Sequence, residues 1–233
     1  HELAAQQLSA LSHQGVASQG LEYQVAEVLA QLAIANTGSD FAAMKELLPS
    51  LHLLGSKPGN DRILSHYFAY QALLAIRQGY FAKGLNDSNA AIELAKTKGL
   101  AVQESWYVLQ RAVYFELKQS EKVTQVLETM VRQFNKGEYW LQLAGMYGEI
   151  GQDKKQLAVM EAAYQQGFVT KKSELRNLSQ IYYFNGMPYK AASVIEKGLE
   201  DKILNAGNKN LTFLAQAWVG AKEFDKAVGT YQR

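Results

Sequence analysis

The chain has 233 residues, of which 48% are hydrophobic and 20% charged, so it has enough apolar side chains for a continuous core and too many for a disordered segment. Its 24 basic and 22 acidic residues leave a net charge of +2 and are scattered, which excludes a field that steers nucleic acids or anionic membranes. No cysteine occurs, which excludes disulfides, zinc–thiolate sites and thiol catalysis, and no apolar run reaches the roughly 18 residues of a membrane span.

The N-terminal part, residues 1–60, is predicted to form degenerate helical repeats and a cap. Apolar residues recur at helical spacing over 21–36, and Gly38 then ends the pattern as a helix C-terminal residue does. Asp40 is predicted to cap the next helix. The segment Gly55–Asn60, with two glycines, a proline and an asparagine, is the strongest loop signal in the chain and the place for any flexible joint.

Residues 61–233 are predicted to form an array of helix pairs. Residues 62–78 and 80–97 have the apolar spacing of one pair, with Gly79 between them. The pattern then repeats at intervals of 34, 35 and 36 residues, with unit starts near Gln103, Gly137, Lys172 and Asn208. The predicted units lie near 65–98, 103–136, 137–170, 172–205 and 208–233, the last of them truncated.

Two tryptophans define the period of the array. The first copy reads W-x-x-L from Trp106, and the second reads W-x-x-L-A-x-x-Y from Trp140, 34 residues later. This period and spacing resemble the tetratricopeptide repeat (TPR) superfamily. The resemblance implies an all-α, right-handed superhelical solenoid of antiparallel helix pairs that binds other proteins and is not an enzyme.

One position of the repeat is always small, and bulky side chains recur beside it. A small side chain lets the two helices of a unit approach closely, while the large ones fill the neighbouring space. The small residues are Ala144, Ser179 and Ala215, and the large ones are Trp140, Tyr147, Tyr182 and Trp218.

A narrower likeness concerns residues 139–167 and 173–200. These two runs resemble repeat proteins encoded with TonB/ExbB/ExbD-type energy-transduction systems of Gram-negative bacteria. That resemblance implies a periplasmic or envelope-associated accessory protein with TonB-type partners; a cytoplasmic location is the alternative. Since His1 is not a natural start and Arg233 falls within an expected helix, we expect the chain to be part of something longer, with any signal or anchor outside it.

Catalytic and cofactor motifs are not found. The four histidines have no i, i+4 pairing, so each is interpreted as a helix-surface or groove residue and no metal is expected. The segment Gly145–Gly148 lies inside a predicted helix, where glycines open space and do not bind phosphate. No nucleophile or phosphate-loop motif occurs, and no cofactor is predicted. The histidines are His1, His13, His52 and His66.

The remaining candidate site is the concave surface, which the first helix of each unit lines. Tyrosines interleaved with Arg, Asn and Gln offer contact area and hydrogen-bond donors to a peptide or helix of a partner protein. The predicted partner-binding residues are Tyr70, Arg77, Tyr107, Arg111, Tyr114, Gln142, Glu149, Arg176, Asn177, Gln180, Tyr183, Phe213 and Gln216.

Three other functions compete with a peptide-binding scaffold. Self-association would use Phe224, Tyr231 and the last helix face. The chain could instead position substrates within a larger envelope protein. A nucleic-acid binder would need a basic stripe or an RNP-like motif, and neither is present.

Overall fold

A computed structural model describes residues 28–29, 31–33 and 35–233. These residues form helices, turns and short connections and no strand, which confirms the all-α prediction. The cap predicted at the very N-terminus lies outside the described residues. Within the described part, none of the helices combines the length and the apolar character that crossing a bilayer requires.

The helices divide between two compact units, one ending at Lys122 and the other starting at Val123. The helix α5 crosses this boundary and lies mostly in the second unit. The helices are α1 (Phe41–Gly55), α2 (Asp61–Arg77), α3 (Phe81–Thr97), α4 (Glu104–Glu116), α5 (Ser120–Phe134), α6 (Gly137–Glu149), α7 (Asp153–Gln165), α8 (Lys172–Phe184), α9 (Pro188–Glu200), α10 (Asn208–Gly220) and α11 (Phe224–Tyr231).

In the first unit, α1 to α4 pack in chain order, each on the next. The cap predicted at Asp40 is confirmed, since the Ala43 N–H donates to Asp40 Oδ1 at 3.0 Å. Met44 and Leu51 of α1 form a buried cluster with Leu32 and Ala35, which precede it. Burial of this apolar stripe fixes α1 against the preceding helical residues.

The loop predicted at Gly55–Asn60 is a tight, hydrogen-bonded turn. A Cβ on Gly55 would lie 2.8 Å from the Leu64 nitrogen, so only glycine permits this approach of α1 to α2. The Asn60 side-chain amide donates to the Leu54 carbonyl at 2.8 Å and closes the turn.

In the second unit, α6 to α11 also pack in chain order. The predicted role of the small residues is confirmed, because Ala144, Ser179 and Ala215 are all buried where a first helix meets its neighbours. The Ser179 hydroxyl donates to the Ala191 carbonyl of α9 at 2.6 Å. A larger side chain would hold α8 and α9 apart.

A tyrosine–glutamate hydrogen bond joins α6 to α5 and α8 to α7. The Tyr147 hydroxyl donates to Glu128 of α5 at 2.5 Å, and burial together with this bond raises the pKa of Tyr147 to about 12. Tyr182 makes the same bond to Glu161 of α7, and burial and that carboxylate raise the Tyr182 pKa as well. Both glutamates are the ninth residue of their helices, so the link has the period of the repeat.

The last repeat replaces this tyrosine with Trp218. Its indole Nε1 is buried without a hydrogen-bond partner among the described residues. The Lys226 ammonium lies over the Trp218 ring at 4.4 Å and over the Tyr189 ring at 5.2 Å. Lys155 lies over the Tyr147 ring at 5.3 Å and Lys190 over the Tyr182 ring at 5.4 Å, so this repeat keeps the cation–π contact of the earlier ones and differs in lacking their hydrogen bond.

Candidate functional site

A cavity of about 430 Å³ opens between α8 and α10 in the second unit. This volume lies within the range of ligand-binding pockets. Four of its lining residues, Arg176, Gln180, Phe213 and Gln216, belong to the predicted partner-binding set. The complete lining consists of Arg176, Gln180, Ile195, Asn208, Lys209, Asn210, Thr212, Phe213 and Gln216.

The cavity arises from the spacing of the two helices that line it. Arg176 and Gln180 lie one turn apart on α8, and Phe213 and Gln216 lie one turn apart on α10. Ile195 of α9, the helix between them in the chain, is buried at 1% exposure and forms an apolar part of the wall. The apolar sides of α8 and α10 thus pack inward, while their polar sides face the cavity.

The Arg176 side chain is held in place by Asn210. Its Nε donates to Asn210 Oδ1 at 2.9 Å. Asn210 is only 3% exposed, and its amide donates to the Asn205 carbonyl at 2.8 Å and to Asn205 Oδ1 at 3.1 Å. In the described part of the chain, Arg176 makes no other hydrogen bond and no ion pair. Four guanidinium N–H donors consequently remain for a ligand.

The charge of the cavity is entirely positive. Arg176 and Lys209 line it, and no aspartate or glutamate does. Nor does Lys209 pair with an acid anywhere in residues 35–233. The cavity therefore favours a negatively charged group over a positively charged one.

Three aromatic rings extend from the cavity to the surface. Phe213 contacts Tyr183 at a ring-centroid distance of 5.7 Å, and Tyr183 contacts Phe184 at 6.0 Å. Tyr183 is half-buried, whereas Phe184 is 83% exposed. We call Phe213, Tyr183 and Phe184 the aromatic row. Such a row offers apolar contact area with little rotamer entropy to lose.

The other predicted residues of the second unit lie outside the cavity lining. Gln142 and Glu149 are exposed on α6, and Asn177 is exposed on α8. Tyr183 lies beside the cavity and reaches it only through its contact with Phe213. The structure thus brings together four predicted residues and leaves these apart.

In the first unit, the predicted exposure of Tyr107 is wrong. Its side chain is 2% exposed, because a tyrosine at this position packs into the core. Tyr70 is half-buried against the cluster of Met44 and Leu51, and this burial raises its pKa. The Arg77 guanidinium lies 5.9 Å from the Phe41 ring centre.

Arg111 and Tyr114 on α4 are half-buried. Neither lines the 190 Å³ cavity that α4 shares with α2 and the end of α3. That cavity is formed by Arg62, Ser65, His66, Ala95, Leu100, Ala101, Gln103 and Trp106.

The surroundings of His66 alter its pKa. Burial, and secondarily the charge of Arg62, lower the His66 pKa to about 4, so its ring is neutral at pH 7. The ring meets Trp106 edge-on at 5.2 Å. His66 is partly buried, packs on Trp106 and lines the 190 Å³ cavity. The His52 ring contacts the Tyr67 ring in a tilted arrangement, with a centroid distance of 4.6 Å. No group of three metal-ligating side chains occurs among the described residues.

Lys209 and Asn210 are site residues that sequence reasoning missed. Asn210 follows Arg176 by 34 residues, close to the 36-residue interval between the starts of α8 and α10. Residues one period apart lie on consecutive first helices, so this spacing was the signal that could have identified the pair.

Solved structures of repeat proteins share this fold. The chain matches the C-terminal part of a TPR repeat-containing protein from Cytophaga hutchinsonii with a TM-score of 0.56 and 15% identity, over 86% of this chain and 75% of that one. It matches a tetratricopeptide repeat protein from Parabacteroides merdae with a TM-score of 0.54 and 11% identity, over 90% and 78%.

A further match is YrrB, a TPR protein with an unusual peptide-binding site. The TM-score is 0.52 and the identity 15%, over 71% of this chain and 82% of YrrB. No protein-family model and no curated protein matches the chain. Identities this low show a common fold and nothing more specific.

Proposed function

Because the chain has the tetratricopeptide-repeat fold, we propose that it is a non-catalytic scaffold that binds a peptide segment of a partner protein in the cavity between α8 and α10. The observation that carries the proposal is that cavity, about 430 Å³ in volume, with hydrogen-bonding side chains beside an aromatic row. A pocket lined in this way can bind a main chain and a side chain together.

The exposed amides of Gln180 and Gln216 support this reading. An amide both donates and accepts, so it can pair with the N–H and C=O groups of a peptide. Arg176 is already ordered by Asn210, so little side-chain entropy remains to be lost there on binding. These features favour a modest affinity with selectivity for the bound sequence.

The test is a selection from a random peptide library, followed by binding of the selected peptides to variants. Phe213→Ala removes an aromatic wall of the cavity, and we expect it to weaken binding by about tenfold or more. Phe224→Ala is the matched control, because Phe224 is exposed in the same unit and does not line the cavity. Equal loss in both variants, or no peptide selected, would contradict the proposal.

We further propose that the scaffold acts at the cell envelope beside a TonB-type system. The support for this context is the resemblance of residues 139–167 and 173–200 to repeat proteins of such systems. Fractionation of the source cells with an antibody to the chain tests it. Recovery in the periplasmic or envelope fraction is expected, and recovery only in the cytoplasm would contradict it.

Self-association is a second candidate, and α11 is the observation that favours it. Phe224, Val228 and Tyr231 form an exposed apolar stripe on this helix. The residues at the positions of Val228 and Tyr231 on α9 are Ala192 and Ile195, which are buried. Light scattering over a concentration series distinguishes the two functions, since a strict monomer at all concentrations would exclude self-association.

A further inference from the structure

We infer that the segment bound between α8 and α10 carries an Asp or Glu side chain that pairs with Arg176 and Lys209, and an apolar side chain that packs on the aromatic row. This inference rests on the proposed function and adds the chemistry of the partner to it. The two ends of the cavity differ in character, and each end supports one half of the inference.

The cationic end is suited to a carboxylate. The guanidinium of Arg176 keeps four unused N–H donors, and Lys209 adds a second positive charge on the facing helix. Since no acid lines the cavity, neither charge is neutralised there. A guanidinium binds a carboxylate through two parallel hydrogen bonds, which gives both strength and directional selectivity.

The orientation of Arg176 is fixed before a ligand binds. Asn210 is 3% exposed and bonded on both sides, to Asn205 and to Arg176 Nε. Holding Nε leaves the two terminal nitrogens of the guanidinium as the available donors. A buried asparagine that positions an arginine in this way is what distinguishes the cavity from a surface with scattered lysines.

The aromatic end is suited to an apolar side chain. Phe213 forms the cavity wall, and Tyr183 and Phe184 continue it outward to an 83% exposed ring. Contact between water and the rings of Phe184 and Tyr183 is unfavourable. A bound apolar side chain would remove part of this contact and so stabilise the complex. No charged residue belongs to this row.

The distance between the two ends sets the spacing in the ligand. Arg176 and Tyr183 are separated by seven residues of α8, or about 10 Å along the helix axis. An extended peptide covers about 3.3 Å per residue, so the acidic and the apolar residue are expected about three positions apart.

The carboxylate is assigned to a side chain and not to a chain terminus. Asn208, Lys209 and Thr212 are all exposed, so the cationic end is open to solvent. A peptide can therefore continue past Arg176 without a clash, and the ligand need not end there.

The probes are fluorescein-labelled, C-terminally amidated peptides of about eight Gly and Ser residues, with one Phe and one Glu about three positions apart in either order. Matched peptides replace Glu by Gln or Phe by Ser, and one Gln peptide keeps a free C-terminal carboxylate. Binding is measured by fluorescence anisotropy. We expect one Phe/Glu order to bind at least about tenfold more tightly than its Gln or Ser counterparts.

The variants Arg176→Gln and Lys209→Gln should each reduce the advantage of Glu over Gln, while Lys154→Gln, an exposed lysine on α7, should leave it intact. Circular dichroism checks that each variant folds. Equal binding of Glu and Gln peptides would overturn the inference and leave the proposed function standing.

Two other outcomes also count against the inference. If the Gln peptide with a free terminus binds as tightly as the Glu peptide, the ligand is a chain terminus. If none of the designed peptides binds while library peptides still do, the inferred acidic and apolar partner residues are wrong. The proposed scaffold function would then still stand.

Discussion

One position of the repeat is buried in the first unit and accessible in the second. Counted from the repeat starts at Gln103 and Lys172, Tyr107 in the first unit and Arg176 in the second occupy the same place. Tyr107 is 2% exposed and belongs to the core, whereas Arg176 is half-buried and lines an open cavity. The repeat therefore determines which side of a helix a residue occupies, and the local packing determines whether a partner can reach it.

The largest effect expected from this comparison is on stability. Tyr107→Ala leaves a cavity in the core and should lower the free energy of unfolding by about 3 kcal/mol or more. Arg176→Gln should cost only about 1 kcal/mol, because it removes one hydrogen bond to Asn210. Urea denaturation followed by circular dichroism measures both. Similar losses for the two variants would show that the two positions are not used differently.

The second prediction concerns pH and the first unit. The folded-state pKa of His66 is about 4, below its ordinary value of 6.5, so below pH 6.5 the unfolded chain binds a proton that the folded chain does not. Stability is complete above pH 6.5 and is lost as the pH falls toward 4, by about 2 kcal/mol between pH 7 and 5.

Urea midpoints at pH 7 and pH 5 measure this loss, and His66→Gln should remove most of it. Glu161 and Glu174 also affect acid stability. The hydrogen bond from Lys190 lowers the Glu161 pKa, and at Glu174 the Lys171 and Thr170 backbone N–H groups outweigh the burial that would raise it. The stability that these two carboxylates contribute is lost only as the pH falls below 4.5, which lies outside the range from pH 7 to pH 5. If the stability of His66→Gln falls between pH 7 and pH 5 as much as that of the wild type, the assignment to His66 is refuted.

A third prediction separates the hydrogen-bonded repeats from the last one. Tyr182→Phe leaves the Glu161 carboxylate without its hydroxyl donor and should cost about 1–2 kcal/mol. Tyr189→Phe is the control, because Tyr189 is exposed and it is its ring that contacts Trp218 and Lys226. Thermal unfolding of the two variants should differ by several degrees; identical curves would mean that the Tyr182–Glu161 bond adds nothing.

The smallest effects are expected in the turns within repeats, where both units behave alike. Gly151 and Gly186 have φ values of +70° and +73°, and Lys118 and Lys222 have the same left-handed conformation at +56° and +63°. Replacing either lysine by glycine relieves this strain and should raise stability by about 0.5–1 kcal/mol. A loss of stability on Lys118→Gly or Lys222→Gly would show that the side chains make compensating contacts.

Much of the fold was predictable because it depends on local and periodic features. Asp40 caps a helix through a bond three residues away, and Pro188 begins α9 because its ring is tolerated in a first turn. The buried small positions Ala144 and Ser179 followed from the period alone. These features need only a register to be recognised.

The site was predictable only in part. Gln180 and Phe213 line the cavity, whereas Tyr107 is buried, because exposure depends on which side chains the neighbouring helices place beside a residue. Lys209 and Asn210 were missed, since their roles depend on a contact between two helices one period apart.

The sequence by itself determined the helices, their pairing and the faces they bury. Apolar side chains recur about every 3.6 residues within a helix, and small and bulky side chains recur about every 34 residues along the chain. Only the tertiary structure decided that Arg176 is held by a buried asparagine beside an open hollow and that Tyr107 is closed off. Accessibility and hydrogen-bond partners depend on the distance between packed helices, and no single segment of the chain contains that distance.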